Sequence, residues 1–455
     1  MSDAKREDAI DRRRFLSGAG LGLSVGATLG LSGGRPAHAG PAEVGKPLPT
    51  AGAAESLEDW AAVRGLFDLS HEYIHLALML LTSHPRPVRQ AIEQHRRGLD
   101  ENPIDYFEAR FMKTEQEVRR AAAHYLGGEA DQIALTDSTT MGLAVLYGGL
   151  LLRSGQEILT STHDHYATHE NLRLRAARSG GQPPVRKIAL YDQPDQVSEQ
   201  EVVSRLVAAV RPKTRIVALT WVHSSTGVKL PIKAIAAALA KLNERRDSGD
   251  RLLLCVDGVH GLGVESDKPI DLGCDFFVGG CHKWMFGPRG TGVIWGRPAA
   301  WKEHVGVIAP FEDAPYTAWM KGVVPTGPGG ILASPGGFHS FEHRWSLGEA
   351  FALHERIGRT RITERIHTLA RQCKEGLTRL PHVQLHTPMS PALSAALVCF
   401  EVRGVPAGEV VKRLHARKII ASVTPYASAY ARLSPAILNT PEEIDAALRE
   451  IRAMG

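Results

Sequence analysis

Leu252-Leu-Leu-Cys-Val-Asp257-Gly-Val-His260-Gly-Leu-Gly263 is an apolar run that ends in a carboxylate and then breaks on glycines. A short continuous apolar run bounded by turn residues reads as a strand buried on both faces. Asp257 then stands at the carboxyl end of that strand, where open α/β sheets meet their ligands. A second run follows: Asp275-Phe-Phe-Val-Gly-Gly-Cys-His282-Lys283-Trp-Met-Phe-Gly287-Pro-Arg-Gly290-Thr-Gly292. Its apolar part ends on His-Lys ahead of another glycine-rich turn. A lysine at the end of a buried strand is desolvated, which favours the neutral amine and makes it a nucleophile toward aldehydes.

Outward from these two runs the chain alternates. Apolar runs at 157–160, 215–221 and 292–295 join those at 252–256 and 276–278, and helical periodicity appears at 114–126 and 197–210. Short β runs separated by helices predict an α/β domain with a largely parallel sheet. After about residue 330 the texture changes. A helical region at 345–379 precedes a strand at 396–402, a helix at 408–416 and a closing helix at 441–453. The prediction is a large, mostly parallel-sheet domain over 76–330 and a small C-terminal α+β domain over 331–455, joined by the Gly/Pro-rich stretch 322–337.

The 455 residues carry 54 Lys+Arg against 49 Asp+Glu, a net +5, with 43% hydrophobic and 23% charged residues. This composition excludes long disorder and a multi-pass membrane protein, and so mild a charge gives no case for nucleic acid. The five cysteines, at 255, 274, 281, 373 and 399, include no CxxC pair, which argues against a disulfide framework or a Cys-rich zinc site. Near the N-terminus, Arg12-Arg-Arg-Phe-Leu16 precedes a weakly apolar, glycine-rich stretch and the A-x-A pattern Ala37-His-Ala39. Residues 1–39 read as a twin-arginine export signal cleaved after Ala39, which predicts a periplasmic or exported protein with no membrane attachment after cleavage. That export machinery carries folded proteins, which suits one that takes up a cofactor first. Residues 40–75 read as a flexible arm, most Pro/Gly/Ala-rich over 40–55.

An acid and a Schiff-base lysine at strand ends are the pair that pyridoxal 5'-phosphate (PLP) requires. The amine holds the aldehyde, and the carboxylate keeps the pyridine nitrogen protonated as an electron sink. At this spacing Asp257 and Lys283 resemble the class V aminotransferase family of fold-type I PLP-dependent enzymes, and most of all its isopenicillin N epimerase-like branch, related to cysteine desulfurases. The resemblance implies a homodimer, PLP as cofactor and a small amino-acid-like substrate. Lys283 is then the catalytic residue and the cofactor's anchor, Asp257 its pyridine partner, and His260 a neighbour of that Asp. Thr136-Asp-Ser-Thr139-Thr140 resembles the family's phosphate cup, with Thr139 and Thr140 as hydroxyl ligands at a helix N-terminus. His282 is implied to reach the same phosphate. In Thr162-His-Asp-His165, His165 matches the histidine that stacks on the cofactor ring. Ser224, in Trp221-Val-His-Ser224, stands where desulfurases usually carry Asn against the phenolic oxygen. Arg432, in Tyr430-Ala-Arg432-Leu-Ser434, matches the arginine that binds the substrate carboxylate, and Tyr426 is implied to line the substrate pocket.

The pattern also departs from the family. Desulfurases carry a loop cysteine ahead of the carboxylate arginine, and 417–431 here contains none, so persulfide-forming desulfuration is not expected. The segment from Ile74 to Pro87 is more apolar than is usual there. The Gly-Thr dipeptide by which a partner subunit touches the phosphate is not evident; the segment Phe341-Glu-His-Arg344-Trp-Ser346 stands near its place, with Arg344 as a substitute. Aminotransfer, epimerisation through a Cα carbanion, and β-elimination of the C–S lyase type all share this site. Two further readings remain at this level: an exported binding protein that retains the fold without catalysis, and a metal hydrolase built on His163, Asp164, His165 and His169. The bland reading of the Ser/Thr cluster is helix capping, and that of each histidine is a satisfied buried imidazole.

Overall fold

The computed structural model describes residues 56–455; the expected export signal and the arm up to residue 55 lie outside the described residues. The strands are β1 (Ile74–His75), β2 (Ile133–Thr136), β3 (Glu157–Ser161), β4 (Val185–Ile188), β5 (Thr214–Thr220), β6 (Leu253–Asp257), β7 (Phe276–Gly280), β8 (Gly292–Gly296), β9 (Val383–Leu385), β10 (Val398–Val402), β11 (Ile419–Ile420), β12 (Ser422–Val423) and β13 (Ala431–Leu433). Helices of ten residues or more are α1 (Arg86–Glu101), α2 (Pro103–Leu126), α3 (Thr139–Gly149), α4 (Tyr166–Arg178), α5 (Glu199–Ala209), α6 (Ile232–Asn243), α7 (Leu347–Ile357), α8 (Arg359–Thr378), α9 (Ala407–Ala416) and α10 (Pro441–Arg452).

A seven-stranded sheet in the order β2-β8-β7-β6-β5-β3-β4 forms the centre. Only β8 runs antiparallel to its neighbours, so the sheet is mostly parallel. Successive side chains of a strand face opposite sides. Ile216, Ala218, Leu253, Cys255, Phe276 and Val278 accordingly pack with Leu143 and Leu146 of α3 and Leu172 of α4. Val217, Leu219, Leu254, Val256 and Phe277 pack with apolar residues of α2, α5, α6 and α7. Both faces are covered, which is why the strands read as unbroken apolar runs rather than alternating ones. Each such side chain contributes about 1.5–3 kcal/mol by leaving water, so the carboxyl ends of these strands are rigidly placed.

A four-stranded antiparallel sheet, β12-β13-β10-β9, forms the second layer, packed on the second half of α8 and on α9 and α10. Helix α8 links the two cores, with Ile362 and Ile366 in the large one and Leu369, Cys373 and Leu377 in the small one. Three expectations meet a different outcome. The helical region at 345–379 is two helices, because Gly358 takes φ +94°, a conformation that stops α7. The arm expected up to residue 75 is structured from its described start: Leu57, Val63, Leu66 and Phe67 are buried in the large core. Finally, β1 pairs in parallel with β11, and Leu76 sits in the small core, so residues 74–76 belong with the C-terminal layer.

Candidate cofactor and substrate site

Strands β3, β5, β6 and β7 end at one edge of the central sheet, with Thr220 beside Asp257 and Asp257 beside Val278. The segments that follow carry the residues singled out from sequence. Asp257 is buried at the end of β6, and its Oδ1 accepts from Val259 N at 3.1 Å. Burial pushes this carboxyl upward, opposed by that backbone bond and by Lys283. Lys283, three residues beyond β7, is driven the other way. Burial lowers its ammonium, Asp257 raises it, and Arg432 lowers it further. An amine so placed is readily deprotonated, as attack on an aldehyde demands.

His260 accepts from Trp284 Nε1 at 3.2 Å through Nδ1, which leaves the ring proton on Nε2. Burial holds this imidazole neutral, well below its ordinary pKa. His165 is the N-cap of α4: its Nδ1 accepts from Ala167 N at 3.1 Å, and its ring stands edge-on to Tyr426, 6.3 Å between centroids. Tyr426 Oη is 2.7 Å from Ser224 Oγ. The Ser224 carbonyl accepts from Arg432 Nη1 at 2.6 Å, and Arg432 Nε donates to Ser422 Oγ at 3.1 Å. Arg432 lies on β13 and is buried, so the small layer delivers a guanidinium to the end of the large sheet. A cavity of about 880 Å³ opens beside His165 and Tyr426, bounded also by His169, Arg173 and Lys187.

On the other side, α3 begins at Thr139, capped by Ser138 Oγ accepting from Met141 N at 3.1 Å. Thr139 Oγ1 accepts from Gly280 N at 2.8 Å, which ties the helix start to β7. The Thr140 side chain is exposed, and its carbonyl accepts from Asn171 Nδ2 at 3.1 Å. His282 Nδ1 is buried without a hydrogen-bond partner. A Cβ at Gly280 would come within 2.9 Å of Thr139 Oγ1 and 3.0 Å of His282 Cε1, so a glycine there keeps the space clear. A helix N-terminus, an orphaned ring nitrogen and the absent side chain make a ready anion cradle. With Lys283 and Asp257 beyond it, these residues fit PLP: the cradle would hold its phosphate, Lys283 its aldehyde and Asp257 its pyridine nitrogen.

The other histidines of the 162–169 segment point to separate partners. His163 stacks on Tyr191 at 3.8 Å and accepts from Leu190 N, while His169 Nε2 lies 2.8 Å from the Ser161 carbonyl. Asp164 accepts from Thr160 Oγ1, Ser161 N and Thr220 N at 2.6–2.8 Å, so both of its oxygens tie β3 to β5. Among the described residues no group of three or more His, Cys, Asp or Glu is placed to hold a metal ion. His223 is fully buried against Tyr191 Oη at 2.9 Å. All five cysteines are buried and unbridged, and burial pushes each thiol up. Sequence reasoning missed Tyr191 and the structural use of Asp164, whose partners are distant in the chain. It also missed Thr82, whose hydroxyl donates to the His282 carbonyl at 3.0 Å and gives the unusual apolar segment a place beside the site.

With this geometry in hand, the family model for aminotransferase class-V matches residues 82–447. The chain belongs to the aminotransferase class-V family. It is a PLP-dependent enzyme of fold-type I whose exact reaction the family leaves open. It is similar to an isopenicillin N epimerase of Streptomyces clavuligerus, 27% identical over 86% of this chain and 97% of the relative. It is likewise similar to a cysteine desulfurase of Klebsiella pneumoniae, 28% identical over 72% of this chain and 79% of the relative. Among solved structures, a C-DES mutant with glycine covalently linked to its PLP cofactor shares the fold, with a TM-score of 0.76 at 23% identity over 86% of this chain and 99% of that one. The cystine C-S lyase C-DES in complex with its product cysteine persulfide gives a TM-score of 0.73 at 23% identity, over 84% and 98%.

Proposed function

We propose that this class V enzyme is an exported homodimer that binds an amino acid by its carboxylate and moves the Cα proton, with epimerisation or aminotransfer as the outcome. The observation that carries the reading is the convergence at one sheet edge of Asp257 at the end of β6, Lys283 just beyond β7 and Arg432 bonded to the Ser224 carbonyl beyond β5. Tyr426, bonded to Ser224, and His165 border the cavity of about 880 Å³. PLP, when bound, withdraws electrons from the substrate's Cα and so lowers the barrier to losing a proton there. Asp257 would hold the proton on the pyridine nitrogen, a task that suits a buried carboxylate with one backbone donor. Arg432, already oriented by Ser224 and Ser422, binds the substrate carboxylate. Lys283 Nζ takes and returns the Cα proton, and its burial brings the amine toward the range where such transfer is efficient. His165 would cover the cofactor's ring face and exclude water, and Tyr426 would close the substrate side. Thr139, Thr140 and His282 would hold the phosphate, and Ser224 would face the phenolic side.

A second reading, β-elimination at a C–S bond, uses the same residues and is favoured by the similarity to cysteine desulfurases. Its persulfide-forming version lacks a nucleophile, because 417–431 has no cysteine and the buried thiols elsewhere are held protonated. Exposed apolar residues at Val305, Val307, Val324 and Phe338 support a dimer, and the twin-arginine pattern and Ala37-His-Ala39 support export. Chiral product analysis of PLP-loaded protein with L- and D-amino acids tests the assignment. An enantiomer means epimerisation, a 2-oxo acid aminotransfer, and an eliminated fragment the second reading. No product from any candidate, with PLP bound stoichiometrically, would overturn all three.

A further inference from the structure

The short helix Phe341–Trp345 stands where the family's partner-subunit contact was expected, but Arg344 is engaged within its own chain. Arg344 is 5% exposed, and its Nη2 donates at 2.9 Å to Oδ1 of Asp137, whose own side chain is 39% exposed. Asp137 belongs to the turn that leads into Ser138 and Thr139, the start of the anion cradle. Behind Arg344 lies a buried charge ladder. Glu115 of α2 is 3.8 Å from Arg344 Nη1, 3.7 Å from Arg119 and 3.6 Å from His339, and Arg119 pairs with Glu312 at 2.7 Å. The same short helix grips the turn after Lys283, where His343 Nδ1 meets the Arg289 carbonyl at 2.9 Å. Phe341 and Trp345 fix it by packing with Tyr106.

A carboxylate beside a phosphate site is unfavourable, because a dianion and a unit negative charge repel wherever water does not fully screen them. We propose that Arg344 is a positioning residue for the cofactor: it neutralises Asp137, so that the cradle accepts a phosphate dianion. It acts through Asp137 and needs no contact with the phosphate itself. The proposal rests on PLP as the resident cofactor.

The test is PLP affinity by equilibrium dialysis for Arg344→Gln, Asp137→Asn and the double variant, with 31P NMR titration of the bound phosphate. Arg344→Gln should weaken PLP about tenfold, the order expected for exposing one unit charge to a dianion, and raise the apparent pKa of the bound phosphate. Asp137→Asn should bind within about threefold of the parent, and Arg344→Gln should then have no further effect in that background. Arg344→Lys, which keeps the charge, should stay within about threefold. Equal weakening by Arg344→Gln with and without Asp137 would overturn the proposal, as would a Lys variant as weak as Gln. Should Arg344→Gln fail to fold, Glu115→Gln/Arg344→Gln leaves no buried Glu115 carboxylate short of its partner and carries the same comparison. If the parent itself takes up no PLP, the functional reading fails. If it loads and Arg344→Gln loads equally well, only this proposal fails.

Discussion

At the scale of single residues, the site rests on side chains fixed by few but specific partners. Arg432 is held by Ser224 and Ser422 before any substrate arrives, so its fork is oriented in advance. Arg432→Gln should lower kcat/KM for an amino acid about 100-fold, chiefly through KM, as loss of a charge-assisted pair worth about 3 kcal/mol implies. Steady-state kinetics checks this, and an unchanged KM would move carboxylate binding elsewhere. Tyr426 is different, because its hydroxyl meets Ser224 and no titrating partner. Tyr426→Phe should cost about 1 kcal/mol in stability and change Cα proton exchange less than about tenfold. A 1,000-fold loss would make Tyr426 a proton-transfer group instead. The placement of Asp257 and Lys283 at strand ends was legible because an apolar run, a polar terminus and a glycine turn lie within a dozen residues. The Tyr426–Ser224 bond was not, since 202 residues separate the two and no local pattern records the pairing.

At the scale of elements, the strands with both faces covered were readable, and the edges were not. Strand β4 is one of the two outer strands, Val-Arg-Lys-Ile, with no fully buried position, so it carries no apolar run to find. Helix α1 buries only Val88, yet Val88, Ile92 and Leu99 recur at helical spacing, so its pattern was there to be read. The break between α7 and α8 depends on one backbone conformation, φ +94° at Gly358, within a sequence whose helical periodicity continues on either side. Gly358→Ala should therefore destabilise the fold by about 1–2 kcal/mol, because alanine must adopt a strained left-handed conformation there. Urea unfolding of the two proteins measures it, and equal midpoints would show that the break tolerates a side chain. The registry of β1 with β11 was beyond sequence for another reason. Two-residue strands have no period, and only the packed small core brings residue 74 to residue 419.

At the scale of the whole molecule, two cores joined through α8 bring Arg432 to the end of the large sheet, so stability of the small layer and function are linked. Acid should weaken the large layer in its own right. His223 and His354 are fully buried, and burial depresses each from 6.5 to about 3. The unfolded chain takes up these protons below pH 6.5 while the folded chain does not. Stability is then lost as pH falls from 6.5 toward 3, by about 1 kcal/mol for each histidine at pH 5.5. Thermal unfolding of PLP-loaded protein at pH 7.5 and 5.5 should show a lower Tm at 5.5, and replacing His223 by Gln should shrink the difference. A Tm independent of pH in this window would mean that these imidazoles are not held neutral. The central claim is that the two layers build one PLP site in which Lys283 moves the Cα proton. Its most direct test follows deuterium entering Cα by mass spectrometry, with PLP-loaded protein and a panel of L- and D-amino acids in heavy water. The account predicts exchange on at least one amino acid by the parent and none by Lys283→Ala. Exchange that survives in Lys283→Ala, or a fully loaded parent that exchanges no candidate, would contradict it.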